Sequence, residues 1–334
     1  MTLMFRFLTE QDVREMLPAS EFPALVDLMA GTLADFSANR ATQPVRTALP
    51  VGPPGQYLGL MPALLSAGGA LGAKLVSVVP SNALRGLSSH IGIIVLFDPE
   101  TGALRAVMDA RYITEVRTAA VSAVSVRHMA RPDATRLGVI GAGVQARSHV
   151  EVFAAVRPLS RVRVWSPDPT EVDAFVRDVS GRLALDVGAA GSAEQALLDA
   201  DLVVLATSSD RPVVRSEWIA DGTHVVSVGA CRPHQREMDP RLVARSRLIV
   251  DSIAAAVVES GDIVMGIAEG WFGREHVVGE LGGVAAGLVQ GRAAPGEVTI
   301  FKSLGLAVED VAAADLAARR ADAQRLGLEL ALER

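Results

Sequence analysis

The chain has 334 residues, of which half are hydrophobic and only 4% are aromatic, and its formal net charge is −6. Such a length exceeds what one hydrophobic core usually supports, so we expect two domains. Its 32 basic and 38 acidic residues form no run of five like charges, which argues against a nucleic-acid partner.

Cysteine content and hydropathy limit where the protein can work. Cys231 is the single cysteine, which excludes an intramolecular disulfide and favours a reducing cytoplasm. Arg6, Glu10 and Asp12 come too early for the apolar core of a signal peptide. The longest apolar runs, such as 91–97, are far shorter than the ~20 residues of a membrane helix. We expect a soluble, cytoplasmic protein with no membrane partner and, because the six histidines lack ligand spacing, no metal.

The N-terminal part predicts helices followed by an antiparallel sheet. Apolar residues recur at helical steps over 9–36, with Thr9 as a candidate N-cap and breaks at Pro18 and Pro23. Strand-prone runs separated by turn residues follow at 57–61, 70–79, 91–97 and 104–108. Small apolar residues then predict a buried helix from Thr114 to about Met129.

The remaining chain predicts an α/β fold with a doubly wound parallel sheet of the Rossmann type. Strand candidates alternate with helices, at 136–140, 161–165, 202–206, 225–228 and 248–250. The segment 309–333 reads as a helix that returns to the first domain, and 279–291 reads as a loose glycine-rich stretch. We predict a Rossmann domain over 126–307 and a discontinuous α+β domain over 1–125 and 308–334.

A glycine turn marks a dinucleotide site. The run Gly141-Ala142-Gly143-Val144-Gln145-Ala146 directly follows the strand candidate 136–140 and opens a helix, as the G-x-G-x-x-G/A fingerprint requires. Gly141 permits the tight turn, Gly143 lets the backbone approach a pyrophosphate, and Ala146 allows close packing of helix and sheet.

The residues at the end of the second strand of the predicted Rossmann domain, 161–165, would contact the cofactor's ribose. Ser166 stands where NAD enzymes place an acid, and Asp168 comes two positions late. A neutral residue removes repulsion against a 2′-phosphate, and Arg147 could supply a cation. The sequence therefore favours NADPH, with NAD also possible.

Two further loops follow strand candidates, where ligands bind in open α/β sheets. We expect both to border the cofactor, with the residues Ala206, Thr207 and Ser208 in one and Val228, Gly229, Ala230 and Cys231 in the other.

Three stretches together resemble one family. They are Arg117-Thr118-Ala119-Ala120, the glycine turn Gly141 to Ala146, and Phe301-Lys302-Ser303-Leu304-Gly305 continuing to Glu309-Asp310. Over roughly residues 10–325 the chain resembles the ornithine cyclodeaminase/μ-crystallin family, and within it the ketimine reductase-like branch. The resemblance implies a homodimer with a substrate-binding and dimerisation domain and an inserted Rossmann domain.

The resemblance also implies a substrate site. Basic residues that match by motif, Arg46, Lys74 and Arg117, would hold the carboxylate of a small imino or amino acid, beside Gly305, while Thr118 and Ser303 would contact the cofactor. Independently, Lys74 lies in the otherwise uncharged segment 57–82, where a lone cation needs an anion or water. Arg117 stands near the head of the predicted helix, where an anion binds well. Lys74, with a pKa lowered by neighbouring arginines, is also the candidate proton donor.

One departure from the family pattern separates two activities. Cyclodeaminases of the family carry Gly-Gly-Asp-Cys-Pro, whereas Gly229-Ala230-Cys231-Arg232-Pro233 here places a cysteine at the aspartate position. A thiol cannot take over the proton handling of a carboxylate. The loop is instead similar to the Gly-Ala-Ser-Arg-Pro pattern of ketimine reductases.

The function expected is NAD(P)H-dependent reduction of a 2-imino acid, such as Δ1-pyrroline-2-carboxylate or Δ1-piperideine-2-carboxylate, to the L-amino acid. The alternatives are a cyclodeaminating lyase that converts L-ornithine to L-proline, an alanine dehydrogenase-like enzyme, and a non-catalytic binding protein.

Overall fold

The computed structural model describes residues 3–53, 55–66 and 69–332. The chain forms two compact units, one of Met1–Arg117 with Leu306–Arg334 and the other of Thr118–Gly305. The domain limits expected from the sequence, with 126–307 as the Rossmann domain, stay a prediction.

The helices and strands alternate along most of the chain. In chain order they are β1 Met4–Leu8, α1 Glu10–Met16, α2 Phe22–Ser37, β2 Thr47–Pro50, β3 Tyr57–Leu64, β4 Leu71–Val78, β5 His90–Phe97, β6 Leu104–Asp109, α3 Arg111–Met129, β7 Arg136–Ile140, α4 Val144–Val156, β8 Arg161–Trp165, α5 Pro169–Arg182, β9 Asp186–Ala189, α6 Ala193–Leu197, β10 Leu202–Leu205, β11 His224–Ser227, α7 Pro240–Ala244, β12 Arg247–Val250, α8 Ile253–Glu259, α9 Gly261–Ala268, β13 Val277–Glu280, α10 Leu281–Ala285, β14 Thr299–Lys302, α11 Ala307–Gln324 and β15 Leu328–Ala331.

The first unit is built on a seven-stranded sheet of order β15-β1-β6-β5-β4-β3-β2. Strands β3 to β6 pair antiparallel in succession, as the sequence predicts, β2 pairs antiparallel with β3, and β1 pairs parallel with β6. The predicted break between the first two helices is present, and Thr9 caps α1 in a capping box with Asp12.

Helix α11 covers one face of this sheet and packs against β3, β4, β5 and α2. Its buried positions are mostly alanines, which let a helix approach closely. At Gly72 on β4 an added Cβ would lie 2.6 Å from the carbonyl oxygen of Val95 and 3.3 Å from Val311 of α11. The C-terminal segment thus completes the first unit.

The second unit contains an eight-stranded sheet of order β13-β12-β14-β11-β10-β7-β8-β9. Every pair is parallel, which confirms the predicted parallel α/β sheet. The central strands are buried runs of Val, Leu and Ile, as expected where helices cover both faces.

Three predictions of local structure were wrong or incomplete. The helix predicted for 309–333 ends at Gln324, and Leu328–Ala331 forms β15 against β1, while Glu333 lies outside the described residues. The stretch 279–291 is not loose, since it contains the end of β13 and the buried helix α10. Strands β1, β2, β9, β13 and β14 were not predicted.

Candidate active site and cofactor site

The turn after β7 has the backbone that a dinucleotide fingerprint needs. Gly141 has a φ of +103°, and a Cβ there would lie 2.5 Å from the carbonyl oxygen of Ala206, so only glycine fits. Gly143 is the N-cap of α4; among the described residues no side chain caps this helix, and a Cβ at Gly143 would meet none of their atoms within 4 Å. Ala146 is fully buried against the sheet. An open, uncapped helix N-terminus of this kind fits a pyrophosphate.

The other fingerprint residues lie in the first turn of α4. Val144 is 39% exposed, and the carbonyl oxygen of Gln145 accepts a hydrogen bond from Nδ1 of His149 at 2.7 Å. Burial lowers the pKa of His149 to about 4, so its ring is neutral. These contacts fix the helix while its N-terminal end stays accessible.

One buried carboxylate joins the loops after β10 and β11. Oε1 of Glu237 accepts hydrogen bonds from the backbone N–H and the hydroxyl of Thr207, at 2.7 and 2.9 Å. Its Oε2 accepts from Oγ of Ser227 at 2.8 Å and from the N–H groups of Gly229 and Ala230 at 3.0 and 3.2 Å. Both loops predicted to border the cofactor are thereby fixed to the same side chain.

The remaining residues of these two loops are held by backbone contacts. The carbonyl oxygen of Ser208 accepts from the side chain of Gln235 at 3.3 Å, and the N–H of Val228 donates to the carbonyl oxygen of Leu205 at 2.9 Å. The thiol of Cys231 is half-buried and lies 3.3 Å from the carbonyl oxygen of Val228.

A buried lysine supports the same loops. Nζ of Lys302 donates to Oγ of Ser227 at 3.0 Å and lies 3.3 Å from Oδ2 of Asp262 and 4.0 Å from Oε2 of Glu237. Burial lowers the pKa of Lys302, but Asp262 and Glu237 outweigh it, so the pKa is raised above its usual value. Lys302 is therefore a permanent cation inside the second unit.

The turn at 303–305 is fixed by a second buried carboxylate. Oδ2 of Asp251 accepts from Oγ of Ser303 at 3.1 Å and from the N–H groups of Leu304 and Gly305 at 2.5 and 2.8 Å. Gly305 has a φ of +79°, which glycine tolerates without strain. Thr118, on α3, is buried, and its carbonyl oxygen accepts from Oγ of Ser122 at 3.0 Å.

The end of β8 carries the residues expected to read the ribose. Ser166 is buried, and its Oγ donates to Oε2 of Glu171 at 3.4 Å. Asp168 caps α5 by accepting from the N–H of Thr170 at 2.8 Å. Arg147 lies 3.3 Å from Oδ2 of Asp178.

In the first unit a buried lysine and arginine share two carboxylates. Nζ of Lys74 on β4 lies 2.5 Å from Oδ2 of Asp310 on α11. Oδ1 of Asp310 accepts from Nε of Arg117 at 2.7 Å, and Nη1 of Arg117 donates to Oε2 of Glu309 at 2.6 Å. Lys74 is 5% exposed and Arg117 is 4% exposed, so this cluster lies almost entirely out of solvent.

The cluster changes the acidity of Lys74. Burial lowers its pKa most, Asp310 raises it, and Arg117 and Arg46 lower it further, to about 8. The electrostatic effect of Arg46 places it near Lys74, so all three predicted basic residues lie in one region of the first unit. Burial acts against the charged form of Asp310, but Arg117 and Lys74 outweigh it and lower the pKa of this carboxyl.

The position expected for Arg117 within its helix was wrong. We expected it near the head of a helix, but α3 begins at Arg111, so Arg117 lies in the second turn. Its guanidinium is oriented by Glu309 and Asp310 rather than by a helix terminus. Glu309 and Asp310 stand within the family motif, but no role was predicted for them. Their position in an alanine-rich helix was the signal that could have found them.

Comparison with known proteins places the chain in a family. An all-parallel sheet with this glycine turn defines a Rossmann-type α/β protein. The family model described as "Ornithine cyclodeaminase/mu-crystallin family" matches residues 6–325. The chain belongs to the ornithine cyclodeaminase/mu-crystallin family.

Three similar proteins illustrate what this family contains. The chain is 37% identical over 313 residues to the ketimine reductase mu-crystallin of Rattus norvegicus, covering 93% of this chain and 95% of that protein. The structure of Thermococcus litoralis Δ1-pyrroline-2-carboxylate reductase in complex with NADH and L-proline superposes with a TM-score of 0.94 at 34% identity, covering 98% of this chain and all of that one. An archaeal alanine dehydrogenase dimer with bound NAD gives a TM-score of 0.92 at 30% identity, covering 99% of this chain and 100% of that one.

Proposed function

We propose that the protein is an NAD(P)H-dependent reductase of small cyclic or linear 2-imino acids, which forms the L-amino acid. Δ1-Pyrroline-2-carboxylate and Δ1-piperideine-2-carboxylate are the substrates we expect, with proline and pipecolate as products. Two of the relatives are named for this chemistry. The observation that carries the proposal is the buried Lys74, whose pKa of about 8 suits proton donation at neutral pH.

The charges of the first unit suit a monocarboxylate. Lys74, Arg117 and Arg46 carry three positive charges, and Glu309 and Asp310 carry two negative ones, which leaves one positive charge. One substrate carboxylate neutralises it. A region with a net charge of +1 attracts an anion, so this count favours a substrate with a single carboxylate.

The residues divide the work of the reaction. A reduced nicotinamide, when bound, would supply a hydride to the imine carbon. Lys74, as the ammonium, donates a proton to the imine nitrogen, so the C=N bond becomes CH–NH. Arg46 and Arg117 orient the carboxylate, and Asp310 keeps a proton on Lys74 near neutral pH.

In the second unit the chain's own groups form the cofactor site. The N–H groups at the start of α4 would hold the pyrophosphate, and Glu237 fixes the loops containing Thr207, Gly229 and Ala230. Ser303 and Gly305 are set in place by Asp251.

The decisive experiment follows NADH and NADPH oxidation by absorbance with each cyclic imine, beside L-ornithine with ammonia release as the readout. We expect imine-dependent oxidation and no ornithine turnover. Ammonia and proline from ornithine without net cofactor change would instead establish a lyase, and pyruvate with ammonia as the preferred pair would establish an alanine dehydrogenase.

We also propose a homodimer. Apolar side chains are exposed on the sheet face opposite α11, namely Leu60, Leu64, Ile91 and Ile93. Such a face is typical of a protein interface, and one similar protein is a dimer. Light scattering after gel filtration should give twice the mass of 35.0 kDa, and Ile93→Glu should lower it.

A cytoplasmic location is likewise proposed, on the strength of the single cysteine. Within the described ranges no helix is long and apolar enough to cross a membrane. Cell fractionation with a tagged chain tests this location.

A further inference from the structure

In a Rossmann fold the residue at the end of the strand that corresponds to β8 contacts the adenosine ribose. In Rossmann folds an acid at this point hydrogen-bonds the ribose 2′-hydroxyl and selects NAD, whereas an arginine accommodates the 2′-phosphate of NADP. The strand here ends in Trp165 and is followed by Ser166, which is neutral. Ser166 therefore does not supply the acid that selects NAD.

The structure brings an acid to Ser166 from the next helix. Glu171 lies in the first turn of α5, and its Oε2 accepts a hydrogen bond from Oγ of Ser166 at 3.4 Å. The Glu171 side chain is exposed, so one carboxylate is available to solvent while it contacts the ribose-reading residue. Asp168 adds a second negative charge at the same helix end.

Arg147, the cation that the sequence suggests for a 2′-phosphate, pairs with a different acid. Nε of Arg147 lies 3.3 Å from Oδ2 of Asp178, and its guanidinium lies over the ring of Phe175, 5.6 Å from the centroid. The exposed acids Glu171 and Asp168 are thus not balanced by Arg147. A 2′-phosphate, with a charge near −2, would meet net negative charge at this position.

We infer that Glu171 is the ribose-reading carboxylate and that the protein prefers NADH to NADPH. This inference rests on the proposed function, and it reverses the preference that Ser166 alone suggests. Glu171 replaces the missing strand-end acid from five residues further along the chain: it accepts a hydrogen bond from the 2′-hydroxyl of NADH and repels the phosphate of NADPH.

Calorimetric titration of the full-length protein with NADH and with NADPH tests this without relying on catalysis. We expect NADH to bind at least ~10-fold tighter than NADPH. Glu171→Gln should narrow that ratio by at least ~5-fold, chiefly by tightening NADPH, because it removes a charge and keeps an acceptor. Asp173→Asn is the matched control, since it removes the same charge from an exposed position of the same helix and should leave the ratio within ~2-fold of the parent protein.

Each other result overturns the inference. Equal or tighter binding of NADPH to the parent protein contradicts it, as does an equal change of the ratio in both variants, which would reflect only the overall charge. Binding of neither cofactor would overturn the proposed function as well, whereas imine reduction with equal use of both cofactors would overturn this inference alone.

Discussion

The chain contains only two lysines, Lys74 and Lys302, one in each compact unit, and both are buried beside carboxylates, one at Lys74 and two at Lys302. Lys74 neighbours Asp310 and two arginines, and its pKa falls to about 8. Lys302 neighbours Asp262 and Glu237, and its pKa is raised. Burial of the same side chain thus accompanies a pKa of about 8 at Lys74, which we propose as the proton donor, and a raised pKa at Lys302, which stays a cation.

The number of neighbouring acids and the presence of neighbouring cations together account for the difference in pKa. Desolvation is the largest effect at both lysines and acts in the same direction, and carboxylates oppose it at both. Arg117 and Arg46 add repulsion at Lys74. At Lys302 the largest effects after burial all raise the pKa. A buried lysine therefore indicates chemistry only when its charged neighbours are known.

Replacement of Lys74 should have the largest effect. Lys74→Met removes the proposed proton donor, so kcat/KM for imine reduction should fall by ~10²–10⁴-fold, or about 3–5 kcal/mol. Lys74→Arg is the matched control, because it keeps a cation opposite Asp310 but its pKa is too high to release a proton at neutral pH. Steady-state kinetics and cofactor titration check both. Near-normal turnover of either variant would remove Lys74 from the mechanism.

Replacement of Lys302 should act on stability instead. Lys302→Met leaves Asp262 and Glu237 buried without their cation, so we expect the free energy of unfolding to fall by ~3–5 kcal/mol. Urea denaturation measures it. Adding Asp262→Asn should restore part of the loss, because an asparagine can still accept from the N–H groups of Glu237 and Met238. A loss below ~1 kcal/mol would show that the cation is dispensable.

In two interactions of the candidate site, one partner was predicted from the sequence and the other was not. Lys74 was visible as a lone cation, but Asp310 lies more than two hundred residues away, and only the packing of α11 on the sheet brings them together. Glu237 follows β11 in an irregular loop without any motif, so its five hydrogen bonds to two loops had no local signal. Acidic partners are set by tertiary folding, which one sequence does not display.

The fold was easier to predict where an apolar run leads directly into a recognisable motif. Strand β7 and the glycine turn were found together because an apolar run leads directly into a glycine pattern with a steric purpose. β15 was missed because Leu328–Ala331 follows a strong helical pattern, and pairing with β1 outweighs helix propensity there.

The contrast between the two lysines can be measured directly. In protein labelled with ¹³C-lysine the two side chains give two ε-carbon signals, and we expect that of Lys74 to titrate near pH 8 and that of Lys302 only above its usual value of 10.5.

The reductive rate should fall as pH rises through about 8, because the ammonium form of Lys74 is lost. Asp310→Asn removes the carboxylate that raises the pKa of Lys74. The titration of the Lys74 signal and the fall in rate should therefore both occur about one pH unit lower, or about 1.4 kcal/mol. Co-titration of both signals would contradict the comparison.

Replacement of Cys231 should have the smallest effect. Its thiol lies near the Lys302 cluster, but its contacts with the carbonyl oxygens of Val228 and Ser303 are long, at 3.3 and 3.9 Å. Cys231→Ser keeps a small polar group there, so kcat/KM should change by less than ~3-fold, or about 0.6 kcal/mol. Steady-state kinetics before and after iodoacetamide treatment of the parent and the variant measure this. If the serine variant is inactive but folded, the thiol takes part in the chemistry, and the second unit, like the first, supplies a reacting group.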